Sequence, residues 1–148
     1  MNIIVVLIRL ALMRIVLDTN AVLAALPKSS RYRLIINELV EHKFELVVST
    51  AILLEYQEVI SNKTNDSVAF NFLEFLTKQP SVIQVEPPFF WWLIKADPDD
   101  NKFVDAALIA GADYIVTNDA HFKVLKDIPF PSVNVISLPE FWAMLNTQ

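Results

Sequence analysis

Ile15-Val16-Leu17-Asp18-Thr19-Asn20 is a run of branched apolar residues that ends in a carboxylate. With Arg14 before it, the run predicts a short strand buried on both faces, the kind found in parallel sheets. An ionised Asp at such a position costs several kcal/mol unless a cation or hydrogen-bond donors meet it. The question the sequence poses is what lies opposite Asp18.

Outward from this strand, the chain alternates apolar runs with helical periodicity. Ser29-Ser30 are expected to cap a helix reaching Glu41, with Leu34, Ile35, Leu39 and Val40 inward. Phe44–Val48 predicts a second strand, and Ser49 or Thr50 the cap of a helix to about Ile60. Asp66–Lys78 predicts a third helix and Ser81–Val85 a strand, followed by Pro87-Pro88 and the aromatic cluster Phe89-Phe90-Trp91-Trp92. Asp100 is placed to open a helix that ends at Gly111. Tyr114–Thr117 and Val133–Ile136 predict further strands, and Ser137 with Glu140 forms a capping box for the last helix. Alternating strands and helices imply right-handed crossovers. The expected fold is α/β: one three-layer α/β/α sandwich over residues 13–148, with a central, mostly parallel sheet.

Composition narrows the function. The chain has 148 residues, 54% hydrophobic and 20% charged, which is folded-domain composition. The absence of cysteine excludes disulfides and thiolate metal sites and fits a cytoplasmic location. A net charge of −5 argues against a broad basic face for duplex DNA. The lone glycine, Gly111, excludes glycine-rich phosphate cradles. His42 and His121 are too few and too far apart in sequence for a zinc site. Residues 1–12, MNIIVVLIRLAL, are broken by Arg9 and fall short of the ~20 residues a membrane span needs. They lack the marks of a signal peptide. Met13 is the expected start of the domain, with residues 1–12 an apolar extension or the product of an early start codon. No membrane association is expected.

Four carboxylates stand out. Parallel sheets bind ligands beyond the carboxyl ends of their strands. Asp18 ends the first strand, and Asp119 follows Ile115-Val116-Thr117-Asn118 just past another. Glu55 lies among the apolar positions of its helix, between Ile52 and Val59. Asp100 belongs to Asp97-Pro98-Asp99-Asp100-Asn101, where capping explains one acid but not three. Acids aimed at one edge repel each other, and a divalent cation reverses that repulsion. Oxygen ligation without His or Cys suits Mg²⁺ or Mn²⁺.

Asp18-Thr19-Asn20 after a strand, a helical Glu55 and the block DPDDNKFVDAALIAGADYIVTND (Asp97–Asp119) together resemble the PIN-domain family, and more closely the VapC-like toxins of bacterial toxin–antitoxin pairs. The resemblance covers about Met13 to Trp142. It implies a Rossmann-like fold and a Mg²⁺-dependent (or Mn²⁺-dependent) ribonuclease, often a homodimer, silenced by a cognate antitoxin protein. The family's acids fall on Asp18, Glu55, Asp100 and Asp119, with Asp105 less secure as a ligand. Thr19, Asn20 and Thr117 match its supporting polar positions. Candidate contacts to the RNA backbone are Lys28, Arg31, Arg33, Lys123 and Lys126. The alternative is a catalytically silent PIN-fold module acting through protein–protein contacts. A phosphotransfer enzyme built on Asp18 ranks last, because no lysine is clearly placed beside it. A mean hydropathy of +0.41 and the Phe89–Trp92 cluster lead us to expect a dimer or larger.

Overall fold

The computed structural model describes residues 12–147. Residues 1–11, which carry most of the apolar extension, lie outside the described residues. Five strands form one sheet, β1 (Arg14–Leu17), β2 (Glu45–Val48), β3 (Val82–Gln84), β4 (Tyr114–Val116) and β5 (Val135–Ile136). Their spatial order is β3-β2-β1-β4-β5, and every pairing is parallel. The sheet is thus wholly parallel, and the α/β/α sandwich is the PIN-like fold expected. Its central strands need apolar faces on both sides, which Ile15, Val16, Leu17, Leu46, Val47, Val48, Ile115 and Val116 supply, all buried.

The helices are α1 (Thr19–Ala25), α2 (Arg33–Val40), α3 (Thr50–Lys63), α4 (Asp66–Lys78), α5 (Asn101–Ala110) and α6 (Leu138–Asn146). Two 3-10 segments, Pro98–Asp100 and Ala120–Asp127, precede α5 and follow β4. Helix α1 is absent from the sequence reading: Asp18 caps it, its carboxylate accepting the Asn20 N–H at 2.7 Å. A run as short as Thr19–Ala25 has no strong periodicity of its own, so the strand end that supplies its cap decides it. Helix α2 begins at Arg33, later than the Ser29-Ser30 cap implied. The Ser30 hydroxyl is used elsewhere, donating to the Ala24 carbonyl at 2.6 Å and accepting the Tyr32 N–H at 3.0 Å. Ser49, not Thr50, caps α3, and that helix runs one turn past Ile60 to Lys63. The Ser137–Glu140 capping box forms with both bonds at 3.2 Å.

The chain leaves β1 toward β2 and β3, then crosses back to β4 on the other side of β1. The reversal opens a crevice at the carboxyl ends of β1 and β4, where ligands of such sheets bind. Among the described residues no helix is long and apolar enough to cross a membrane. Phe89, Phe90 and Trp92 all face solvent on the segment between β3 and α5.

Helix α5 ends at Gly111, whose φ of +62° is left-handed and whose N–H bonds to the Leu108 carbonyl at 3.3 Å. A Cβ there meets nothing within 4 Å, so only backbone strain opposes a side chain. We expect Gly111→Ala to cost about 1 kcal/mol and Gly111→Asn less, because asparagine tolerates this conformation. Urea denaturation checks this; an unshifted midpoint in Gly111→Ala contradicts it.

Candidate metal centre

Asp18 is 7% exposed at the end of β1, and its two oxygens are held from different directions. One accepts the Asn20 N–H; the other accepts the hydroxyl of Thr117, which is buried at the end of β4. The same Thr117 oxygen accepts the Asp119 N–H at 3.0 Å. Thr117 therefore ties both strand-end acids to one point. Beneath them Tyr56, fully buried, donates its hydroxyl to the Leu17 carbonyl at 2.6 Å. Burial, with Asp18 and Glu55 nearby, pushes the Tyr56 hydroxyl well above its ordinary pKa, so it remains a donor.

Glu55, on α3, reaches the same region but not as a free acid. Its carboxylate accepts the Thr19 hydroxyl and pairs with Lys102 at 2.8 Å. That partner, Lys102, lies on the first turn of α5. Its position two residues after Asp100 was a usable signal, but only folding brings it to Glu55.

Asp100 does not cap α5 with its side chain. Asp97 caps the preceding 3-10 segment, accepting the Asp99 N–H at 3.2 Å. Asp100 Oδ2 is buried and has no hydrogen-bond partner. Burial, then Asp97, Asp119 and Asp18, push the Asp100 carboxyl up from 3.8 to about 7, with His121 opposing. The Asp18 carboxyl is also raised, by burial first and by Asp119 and Glu55, against the hydrogen bonds from Thr117 and Asn20. Asp18 thus feels Asp119 and Glu55, and Asp100 feels Asp97, Asp119 and Asp18.

Asp105 stands apart from it. It is 2% exposed, not on an exposed side of α5, and accepts the Trp91 N–H at 3.2 Å. Burial raises its pKa and the Trp91 bond opposes; none of the other four acids contributes. Asn101, also buried, both donates to the Ile94 carbonyl at 2.7 Å and accepts the Ile94 N–H at 2.9 Å. Asp105 and Asn101 thus fasten the β3–α5 segment to the helix, which sets where Asp97 and Asp100 lie. Sequence reasoning quoted Asn101 without giving it this role.

His121 joins the acids, although two scattered histidines argue against a histidine-containing metal site. Its Nδ1 lies 3.5 Å from Asp119 Oδ1 and 3.6 Å from Asp100 Oδ2. One ligand atom from each of Asp97, Asp100 and His121 falls within 4.8 Å of the others, a group able to hold a metal ion. Of the predicted supporting residues, Thr19 and Thr117 are buried against the acids, and Asn20 contributes its backbone N–H. Among the basic candidates, Arg31 stacks on Trp142 at 4.6 Å, and Arg33 donates to the Leu26 carbonyl. Both hold the α1–α2 connection. Lys28 is exposed beside an apolar groove that includes Leu26, Ile36 and Phe72. Lys123 and Lys126 share a cleft of about 170 Å³ with Thr117 and Asp119.

A sequence model of the PIN domain matches residues 14–121. The chain belongs to the PIN-domain family. No curated protein matches it in sequence. Among solved structures, it resembles VapBC2 from Rickettsia felis, bound to a DNA fragment from its promoter. There the identity is 18% and the TM-score 0.59, covering 84% of this chain and 98% of the other. VapBC-1 from nontypeable Haemophilus influenzae is similar at 17% identity and TM-score 0.60, covering 86% and 99%. The PIN domain of human SMG5 matches at 11% identity and TM-score 0.50, covering 88% and 97%. At these identities the likeness is one of fold.

The raised Asp100 carboxyl has a stability consequence. The folded state holds a proton there that the unfolded state has released, so stability falls as pH rises from about 4 through about 7. In EDTA, we expect Asp100→Asn to melt higher than the parent at pH 8 and to converge with it near pH 4. Thermal melts across that range check this; a variant that melts lower at pH 8 contradicts it.

Proposed function

We propose that this chain is a divalent-metal-dependent endoribonuclease, the toxin of a toxin–antitoxin pair. The observation that carries the reading is the buried, partnerless Oδ2 of Asp100 among acids converging where the strand order reverses. An unpaired buried carboxylate oxygen is unfavourable in the empty protein and becomes favourable when a cation meets it. The donor set of Asp18, Asp100 and Asp119, with Glu55 at its margin, fits Mg²⁺ or Mn²⁺. Bound there, the ion supplies charge neutralisation at a phosphodiester and a lower pKa for the attacking water.

The protein's own groups do the rest. Thr117 holds Asp18 and the Asp119 backbone in register. Lys102 offsets part of the Glu55 charge that bears on Asp18, leaving that carboxylate to orient water. Lys123 and Lys126, exposed beside Asp119, are placed to receive backbone phosphates of a single strand. Water adds across one P–O bond, and the two RNA ends leave. The VapBC complexes of like fold support an antitoxin partner, and the exposed Phe89, Phe90 and Trp92 support a protein contact or a homodimer.

Asp18→Asn should lower RNA cleavage with Mg²⁺ or Mn²⁺ by more than the ~10–100-fold expected of Thr117→Val, since one removes a ligand and the other its support. Asp105→Asn should reduce cleavage less than Asp100→Asn, because Asp105 acts through the Trp91 segment. Single-turnover cleavage of a labelled RNA measures all four. Wild-type rates in Asp18→Asn would overturn the site assignment, and no metal-dependent cleavage by the parent protein would leave the silent binding module as the better reading.

A further inference from the structure

The metal centre proposed above takes oxygens from Asp18, Asp100 and Asp119, yet the fold places a nitrogen beside two of these acids. His121 Nδ1 lies 3.5 Å from Asp119 Oδ1, 3.6 Å from Asp100 Oδ2 and 4.0 Å from Asp97 Oδ2. These separations are too long for charge-assisted hydrogen bonds, which close to about 2.7–2.9 Å. They fit atoms sharing one ion, because ligands at about 2.1 Å from a centre stand about 3 Å apart when adjacent and about 4.2 Å when opposite. Asp100 Oδ2, buried and without a donor, is the atom such an ion would satisfy. The imidazole is held in place by its own backbone: the His121 N–H donates to Asp119 Oδ1 at 2.9 Å. Replacing the ring leaves that bond intact.

We propose that His121 is a nitrogen ligand of the metal centre, and that it makes the centre select a first-row transition ion, Mn²⁺ in the test below, over Mg²⁺. The inference rests on the metal-binding half of the nuclease reading and not on its RNA chemistry. Mg²⁺ is a hard ion that takes oxygen ligands and keeps its waters, and it gains little from an imidazole. Transition ions accept imidazole nitrogen together with carboxylates, and their affinity for mixed N/O sites rises along the first row. Asp97 assists as an outer carboxylate, since one of its oxygens is engaged by the Asp99 N–H and the other faces the ring. The site therefore differs from an all-carboxylate one by a single side chain, two residues after Asp119.

The test is metal binding by the full chain, read without RNA. Mn²⁺ and Mg²⁺ affinities are measured by calorimetry for the wild type, His121→Asn and His121→Gln. Pulsed electron paramagnetic resonance on the Mn²⁺-loaded samples reports coupling to imidazole nitrogen. The expected result is nitrogen coupling in the wild type that both variants lose, a fall in Mn²⁺ affinity of about tenfold or more, and a Mg²⁺ affinity changed by less than about threefold. Bound Mn²⁺ without nitrogen coupling in the wild type overturns the inference and leaves the metal centre standing, with His121 a mere charge partner of the acids. Equal losses for Mn²⁺ and Mg²⁺ in both variants overturn the selectivity. Failure of the wild type to bind either ion overturns the metal centre itself, and the nuclease reading with it. Circular dichroism melts confirm that each variant is folded; two replacements of different length guard against a local packing artefact.

Discussion

The buried charge of Asp18 is the constraint on which this structure turns. A carboxylate at the end of a central parallel strand has lost most of its water, and its environment must replace it. Two donors do so from opposite sides, the Thr117 hydroxyl across the sheet and the Asn20 N–H at the start of α1. Each has a structural consequence. The Thr117 bond locks the carboxyl ends of β1 and β4 together at the reversal of strand order, and the Asn20 bond starts a helix directly from the strand. The opening run of apolar residues therefore ends in an acid because that acid joins the sheet, the first helix and the crevice.

The other acids are arranged around this point with unequal support. Glu55 has Lys102 and Thr19, and Asp119 has one backbone donor of its own turn, the His121 N–H. Asp100 has none for its inner oxygen. Burial and neighbouring acids raise the pKa of both Asp18 and Asp100, but only Asp100 keeps an oxygen without a donor. Structural polar networks satisfy every member; a site that awaits a ligand leaves one unsatisfied. Asp105 shows the contrast. It is as buried as any acid here, but its partner is a backbone N–H of the aromatic segment, which it anchors to α5. Two aspartates five residues apart thus meet opposite surroundings, one with an orphaned oxygen among other acids and the other with a backbone donor.

The segment between β3 and α5 links these roles. Asn101 and Asp105 hold it to the helix through Ile94 and Trp91, while its outer face carries exposed Phe89, Phe90 and Trp92. Trp92 has a φ of +54°, a left-handed conformation that a bulky side chain rarely adopts. Anchored on one side and apolar on the other, the segment is built as a surface feature tied rigidly to the acidic centre.

The alternation of apolar runs and helical periodicity determined the α/β class, the parallel sheet and most elements, because burial on two faces leaves a continuous apolar signature along the chain. The sequence also placed Asp18 and Asp119 at one sheet edge, since residues just past the carboxyl ends of neighbouring parallel strands share that edge. It missed α1, which is too short to show a period, and misread Asp100 as a cap, since capping partners differ by angstroms that spacing does not encode. Lys102 against Glu55, His121 among the aspartates and Asp105 beneath Trp91 were decided only by tertiary structure. Each joins residues on separate elements, 47, 24 and 21, and 14 positions apart in the sequence. A linear pattern reports which residue faces the core; which charge meets which across the crevice depends on how the helices and loops close over the sheet.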